Sequence, residues 1–275
     1  GNRIFSIINS PWFFGEATGN FAISELSALI NNAFSETFPL ISKKPITSTQ
    51  ELNFDFTLSK DLVNVLNSEI LSTENLNLLG HLSSKEFKSY LDIEIPFFQY
   101  QDFFAQGLRI NINNKSLDKD SKLEVDKLVY KKDAMGKFIF GSKRMNNKLL
   151  VKTKLESLTD TGNSFDLNFL VNRTSNYEGE INLKQSNIRL NNNDWNLDVK
   201  NVKPLFYNSL KSVLSVPEVG FESNNSKIKM SGFYDDSKNF KLDLILKYVN
   251  FNQLIKQKNN FSTDGYFDMN FNMKR

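Results

Sequence analysis

A two-residue alternation of apolar and polar side chains, clearest between Ser186 and Met273, most constrains what this chain can fold into. In the run NFKLDLILKYV, Phe240, Leu242, Leu244 and Leu246 alternate with residues that are mostly charged. Successive side chains of a β-strand point to opposite sides of a sheet. The pattern therefore predicts strands with one apolar face and one solvated face.

The same alternation recurs along most of the chain, with Asn, Asp, Ser and Gly between the alternating segments. Such spacing predicts consecutive antiparallel hairpins in an all-β protein. We expect one continuous β-rich segment, 1–275, with no domain boundary. Within it, 1–60 holds glycine-punctuated strands and a possible short helix, and 74–275 is a β-meander.

The first hundred residues contain weaker patterns. Ser59 is placed to cap a short helix over the following residues, and Phe97–Ala105 after Pro96 suggests a short helical or irregular insert. Over 23–38 we prefer strands to the alternative of an amphipathic helix. The short strands expected near the N-terminus, with Gly15 and Gly19 between them, are Ile4–Ile8, Phe21–Ile23, Leu29–Ala33 and Phe38–Ile41.

Composition argues against most catalytic and cofactor sites. The chain has no cysteine and a single histidine, His81, which we expect in a solvated turn. Thiolate and multi-histidine metal sites are thereby excluded. The net charge of +3 is weak and its signs are interspersed, so nothing favours nucleic acid. We expect no enzyme activity, no cofactor and no metal.

Lysines alternate with apolar residues in the segment that contains Lys152 and Lys154. Their spacing places them on the solvated face of a strand, where they keep the surface soluble and protect a sheet edge. The alternative is contact with anionic lipid head groups.

The apolar face of a long β-meander must be covered by something. Two packed sheets would cover it as an ordinary sandwich core. An open, curved sheet would instead present a groove for acyl chains, and covering about ten methylenes contributes about 8 kcal/mol. Large Phe and Leu side chains dominate these positions, and both solutions remain open at this level.

Several residues in the last third of the chain follow an ordered pattern of Ser-x-Ile, Trp-x-Leu, a strand ending in glycine, and an Asp-Gly turn. These residues are Ser186, Ile188, Trp195, Leu197, Ile228, Met230, Gly232, Asp264 and Gly265. With this pattern, 186–273 resembles the C-terminal region of the TamB family, within the AsmA-like group, in its Bacteroidota-type form. The N-terminal PWFFGEATGNFAIS and SETFPLIS, with Gly15, Gly19 and Pro39, resemble its glycine-punctuated strands.

The resemblance implies an elongated, curved, mostly antiparallel sheet that forms an open trough, β-taco-like, with a hydrophobic concave face. It implies a periplasm-spanning bridge, anchored in the inner membrane, for phospholipid transport or outer-membrane protein assembly. The implied partners are phospholipid acyl chains and an outer-membrane assembly barrel protein. Membrane contact would come from regions outside this fragment. Trp195 would pack, and Gly232 and Gly265 would supply turns or bulges.

The groove hypothesis names its lining residues from the alternation. The predicted lining consists of Phe165, Leu167, Phe169, Ile188, Leu190, Trp195, Leu197, Ile228, Met230, Leu242, Leu244, Leu246, Met269 and Phe271. The competing class is a closed β-sandwich or β-solenoid from a cell-surface structural or adhesion protein, with a dry core and no large exposed apolar face.

Overall fold

The computed structural model is all-β, with 67% of the chain in strands and 8% in helices, which confirms the predicted class. The strand pairs between described residues are antiparallel. The structure describes residues 3–7, 10–35, 43–66, 70–72, 74–85, 88–114, 120–131, 133–145, 148–158, 162–175, 178–200, 202–208, 210–235, 240–250 and 266–274.

Contacts divide the chain into two compact units, Gly1–Leu149 and Leu150–Arg275, and the boundary falls within strand β12, Lys148–Leu155. The strands of the first unit are β1 Arg3–Ile7, β2 Phe13–Asn20, β3 Glu51–Leu58, β4 Ile70–Ser72, β5 Leu76–Ser83, β6 Tyr90–Tyr100, β7 Phe103–Asn113, β8 Asp120–Val125, β9 Lys127–Tyr130, β10 Asp133–Met135 and β11 Phe138–Met145. Its helices are α1 Leu26–Ser35 and α2 Lys60–Leu66.

The first unit is a meander in the order β1, β2, β3, β5, β6, β7, β8, β11. Strands β4 and β9 extend the lines of β5 and β8, and β10 pairs with β9. The register places apolar residues side by side across six strands. This apolar rung is Phe56, Leu78, Ile93, Ile110, Leu123 and Phe140.

Pro96, Gly107 and Asp126 lie opposite one another on one line across the meander. Gly107 has a φ of 65°, a region that favours glycine, and it lies between the pairs Ile95–Leu108 and Phe97–Gln106. Asp126 separates β8 from β9. Pro96 has no N–H to donate to the ladder, but β6 and β7 continue past this level without a break.

Helix α1 covers one end of this apolar face. A short 3-10 helix, Ile23–Glu25, leads into it, and Leu29 and Ala33, one turn apart, pack on Leu52 and Leu82. The preference for strands at Phe21–Ile23 and Leu29–Ala33 was therefore wrong, because the apolar residues follow a helical period. The helix alternative is confirmed over 26–35, and Phe38–Ile41 lies outside the described residues.

Two further expectations for the first unit need correction. Gly15 and Gly19 lie inside β2 rather than between strands. Glycine is needed at both positions because a Cβ there would overlap the backbone of β3. The insert predicted at Phe97–Ala105 consists instead of the ends of β6 and β7, joined by a turn at 101–102. The rings of Phe97 and Phe104 pack edge to face, with centroids 4.3 Å apart, which holds the two strands together.

The helix predicted after Ser59 is present as α2. The backbone N–H of Leu62 donates to Ser59 Oγ at 3.3 Å, the N-cap contact that the sequence indicates.

The second unit continues with strands alone among its described residues. After β12 they are β13 Ser164–Arg173, β14 Glu178–Leu183, β15 Asn187–Leu190, β16 Asn193–Leu197, β17 Leu205–Asn208, β18 Val213–Ser223, β19 Ser226–Tyr234, β20 Phe240–Asn250 and β21 Tyr266–Lys274.

Strand β13 pairs with β14 and β15 along one edge, and these pair with β17 and β16 respectively. Both β16 and β17 pair with β18, from which the meander runs through β19 and β20 to β21. Register shifts, typical of β-bulges, follow Val216 in β18 and Leu246 in β20.

Candidate apolar binding face

The register of the second unit places the whole predicted lining on one side of its sheet. Phe165 pairs with Ile188, and Ile188 pairs with Trp195. Because alternate residues of a strand share a face, Leu167, Phe169, Leu190 and Leu197 follow on the same side.

The last four strands, β18 to β21, continue this face without a change of side. Leu197 pairs with Phe221 of β18, which pairs with Ile228. Ile228 pairs with Leu246, which pairs with Met269. A parallel row runs from Met230 through Leu244 to Phe271, and Leu242 lies opposite Gly232.

The face is packed at one end and exposed at the other. Trp195 is 1% exposed and packs with Leu246 and Val249. In contrast, Met230, Met269 and Phe271 are 40–50% exposed. Leu197 and Leu246 are also buried, and the other predicted lining residues are half-buried: Phe165, Leu167, Phe169, Ile188, Leu190, Ile228, Leu242 and Leu244.

The opposite face is charged and carries ion pairs between neighbouring strands. Lys227 contacts Glu222 at 2.6 Å, and Lys229 contacts Glu218 at 2.5 Å. Exposed pairs of this kind contribute little to stability. They make this side of the sheet more polar than the apolar face, although it also carries the exposed Phe233.

Trp195 also carries a buried polar atom. Its Nε1, which can only donate, has no hydrogen-bond partner in the described part of the chain. The indole therefore contributes packing at this end of the face.

Gly232, predicted to supply a turn or bulge, is not in a turn, but it borders a bulge, since it pairs with Val216 immediately before the register shift in β18. It lies within β19, and a Cβ there would overlap the backbone oxygen of Lys241 in β20. Glycine is required because the two backbones approach closely. Gly265, given the same role, lies outside the described residues.

Sequence reasoning left out several members of the face. Phe221 and Val219 of β18 contact the same rows, and Met273 lies opposite Leu242. The signal was present, since Val219 and Phe221 alternate up to an Asn-Asn turn and Met273 continues the alternation of β21.

Tyr207 lies near one edge of the face and is buried. Its hydroxyl has no hydrogen-bond partner among the described residues, and its ring lies across Gly179, where a Cβ would meet it. Burial raises the pKa of the Tyr207 hydroxyl, and the charge of Arg173 opposes that rise. The group is neutral and structural at ordinary pH.

The lysines of β12 are exposed, as their spacing predicts. Lys154 donates to Glu156 Oε1 at 2.9 Å, and this hydrogen bond raises the pKa of Lys154. The alternative, contact of Lys152 and Lys154 with anionic lipid head groups, stays a prediction.

The first unit has a depression of about 480 Å³ on its charged face, lined by Asp55, Asp92, Glu94 and Arg109 among others. His81 lies on this face within β5, rather than in a turn, and its Nδ1 is 2.7 Å from Asn53 Oδ1. No group of three or more His, Cys, Asp or Glu suited to a metal occurs in the described part of the chain.

Comparisons with protein-family models, with curated proteins and with solved structures found nothing that matches this chain. Among the described residues, no helix has the length and apolar character needed to span a membrane.

Proposed function

We propose that this protein binds the acyl chains of phospholipids along the apolar face of its second unit. The observation that carries the proposal is the exposure of Met230, Met269 and Phe271 on a face whose reverse side is charged. A water-soluble sheet ordinarily covers such side chains, because each large apolar group left in water costs about 1.5–3 kcal/mol.

The residues that are exposed suit a flexible ligand. Methionine is unbranched and polarizable, so it adapts to irregular apolar surfaces, and Met230, Met269 and Met273 are all exposed on this face. An acyl chain on this face would gain about 0.8 kcal/mol for each methylene removed from water. Binding of this kind selects apolar chains without recognising one lipid species.

The described part of the second unit favours a bound ligand, rather than another layer of the protein, as the cover of the apolar face. Its elements are all strands of one pairing network from β13 to β21, with no helix among them. In the first unit, by comparison, α1 packs on the apolar face. The alternative of a closed β-sandwich or β-solenoid in a structural or adhesion protein requires a further layer over the second unit's face.

The wider setting of the proposal comes from the resemblance of 186–273 to the TamB family. It supports a role as one segment of a bridge across the periplasm, for phospholipid transport or outer-membrane protein assembly. In that setting the whole protein is anchored in the inner membrane and meets an assembly barrel protein at the outer membrane. The role proposed for this chain is binding, without catalysis.

Native mass spectrometry of the chain, purified from a periplasm and followed by solvent extraction, tests the proposal. The expected result is co-purifying phospholipid that is lost in the Leu244→Asp variant while the circular dichroism spectrum is kept. A chain free of lipid that unfolds in one sharp transition would instead favour the closed structural domain. Unfolding of Leu244→Asp would identify Leu244 as core, and Met230→Asp, at an exposed site, then replaces it.

A further inference from the structure

Beyond the line through Gly107, the charged face of the first unit carries mainly aromatic and apolar residues instead of charged ones. Before that line, the face carries the charged row Glu94, Arg109 and Glu124. Strands β6 and β7 keep a single register past the line, so alternation assigns the following residues to the same face. The large apolar and aromatic residues among them are Phe98, Tyr100, Phe103, Leu128, Tyr130 and Met135, called here the aromatic patch; the small Ala105, between Phe98 and Leu128, is buried.

The aromatic patch is contiguous and lies at the very end of the sheet. Tyr100 pairs with Phe103, which pairs with Tyr130, so three aromatic residues lie side by side in the last row, flanked by Ile70 and Asp133. Leu128 and Met135 pair in the row before it. Tyr100, Tyr130 and Met135 are exposed, while the other three members are half-buried.

Two polar turns project next to the patch and are joined to each other. The backbone N–H of Lys131 donates to the carbonyl oxygen of Asp102 at 2.8 Å, which ties the β9–β10 turn to the β6–β7 turn. The Lys131 ammonium lies 5.4 Å from the centroid of the Tyr130 ring, within cation–π range. The end of the unit thus combines aromatic rings with polar and cationic turn residues.

We propose that the aromatic patch docks this end of the first unit on a lipid bilayer surface, at the level of the head groups. Tyrosine rings prefer that level because their rings are apolar and their hydroxyls reach water. Lys131 would keep its ammonium among the head groups while its stem and Tyr130 lie deeper. Phe98 and Phe103 add apolar area between the tyrosines.

The size of the patch favours a bilayer over a protein partner. A stable protein interface takes about 20–30 residues from each side, whereas the patch has six members at the ends of hairpins. A bilayer needs no matching surface, so a few amphipathic side chains at a tip contribute to binding directly. The charged row beside the patch would remain in water.

This inference is independent of the proposed acyl-chain face, because the two surfaces lie in different units and act on lipid in different ways. The patch holds a membrane surface, and the face of the second unit holds single acyl chains. A variant in one should leave the other property unchanged, and the two proposals can therefore fail separately.

Flotation with vesicles of phosphatidylcholine alone tests the docking surface. The double variant Tyr100→Ser/Tyr130→Ser should bind vesicles at least about fivefold more weakly than the natural sequence, while the lipid extracted from the purified protein is unchanged. The matched control is Phe14→Ser/Leu79→Ser, two exposed residues on the same face of the same unit, which should bind as the natural sequence does. Circular dichroism checks the fold of each.

Three results would overturn the inference. One is equal vesicle binding by the patch variant and the natural sequence, and another is an equal loss in the control. The third is binding that requires phosphatidylglycerol and disappears at high salt, since that would assign the contact to surface lysines.

A tryptophan probe gives a second readout. The emission that Tyr130→Trp adds to that of the native Trp12 and Trp195 should shift to the blue with vesicles and be quenched by phospholipid brominated near the head-group end of its acyl chains. Unchanged emission while the protein floats with vesicles would show that another surface makes the contact. Self-association that depends on Tyr100 and Tyr130, without vesicle binding, would assign the patch to a second copy of the chain.

Discussion

Replacing Phe271 by aspartate should weaken the binding of a long-chain fatty acid about thirtyfold. Phe271 is 46% exposed in the unliganded chain, and an aromatic side chain offers about 200 Å² for burial. An acyl chain that covers the exposed half removes about 90 Å² from water, which contributes about 2 kcal/mol. Each 1.4 kcal/mol is about a tenfold change in affinity, so 2 kcal/mol is about thirtyfold.

The assay is displacement of a fluorescent fatty acid at equilibrium, below the concentration at which the lipid forms micelles. The chain provides a matched control in Phe233, which is 42% exposed in β19 and pairs with Lys241 on the charged face. Phe233→Asp changes the same side chain at the same exposure, so it reproduces every effect of the substitution except its location.

The expected outcome is a large loss for Phe271→Asp and less than about a twofold change for Phe233→Asp. Equal losses in the two variants, or no loss in either, would refute the reasoning. Circular dichroism and a denaturation midpoint for both variants separate lost binding from lost structure.

Three further predictions concern stability. Gly107→Ala should lower the free energy of unfolding by about 1–2 kcal/mol in urea denaturation, because a φ of 65° disfavours a side chain; an unchanged midpoint would contradict this account of Gly107. Tyr207→Phe should raise it by about 1 kcal/mol, since the lost hydroxyl is buried without a partner, and a decrease would reveal a hydrogen bond. Hydrogen bonds from Arg109 lower the folded-state pKa of Asp126; the contribution of this pair is therefore present above the ordinary aspartate pKa of about 4 and is lost as pH falls through the folded-state value. The stability difference between the natural sequence and Asp126→Asn should accordingly shrink on acidification, and a difference that grows would contradict it.

Alternation alone was enough to predict the strands and the shared face of the second unit. A strand buries one side, so the sequence period reports the face directly, and pairs such as Leu244 with Phe271 follow from it. Alternation does not show how far neighbouring residues bury each side chain of the face. Trp195 and Met230 follow the same pattern, yet one is fully buried and the other exposed, because that depends on neighbouring strands and bulges.

Errors near the N-terminus have a different physical origin. Leu29 and Ala33 satisfy a helical period, but short apolar runs fit both periods, and the choice depends on packing against Leu52 and Leu82. Gly15 and Gly19 read as turn residues because the sequence does not show how closely β3 approaches them. The aromatic patch escaped notice for a similar reason, since Phe97-Phe98 and Phe103-Phe104 interrupt the alternation.

The methionines of the chain allow the most direct test of the acyl-chain face. Of the five methionines, Met230, Met269 and Met273 lie on the apolar face of the second unit, and Met135 and Met145 lie in the first unit. We would label the methionine methyl groups with carbon-13 and record intermolecular NOEs to the methylenes of bound stearic acid. The account predicts NOEs to Met230, Met269 and Met273 and none to Met145. Bound fatty acid without NOEs to those three methyl groups would contradict it.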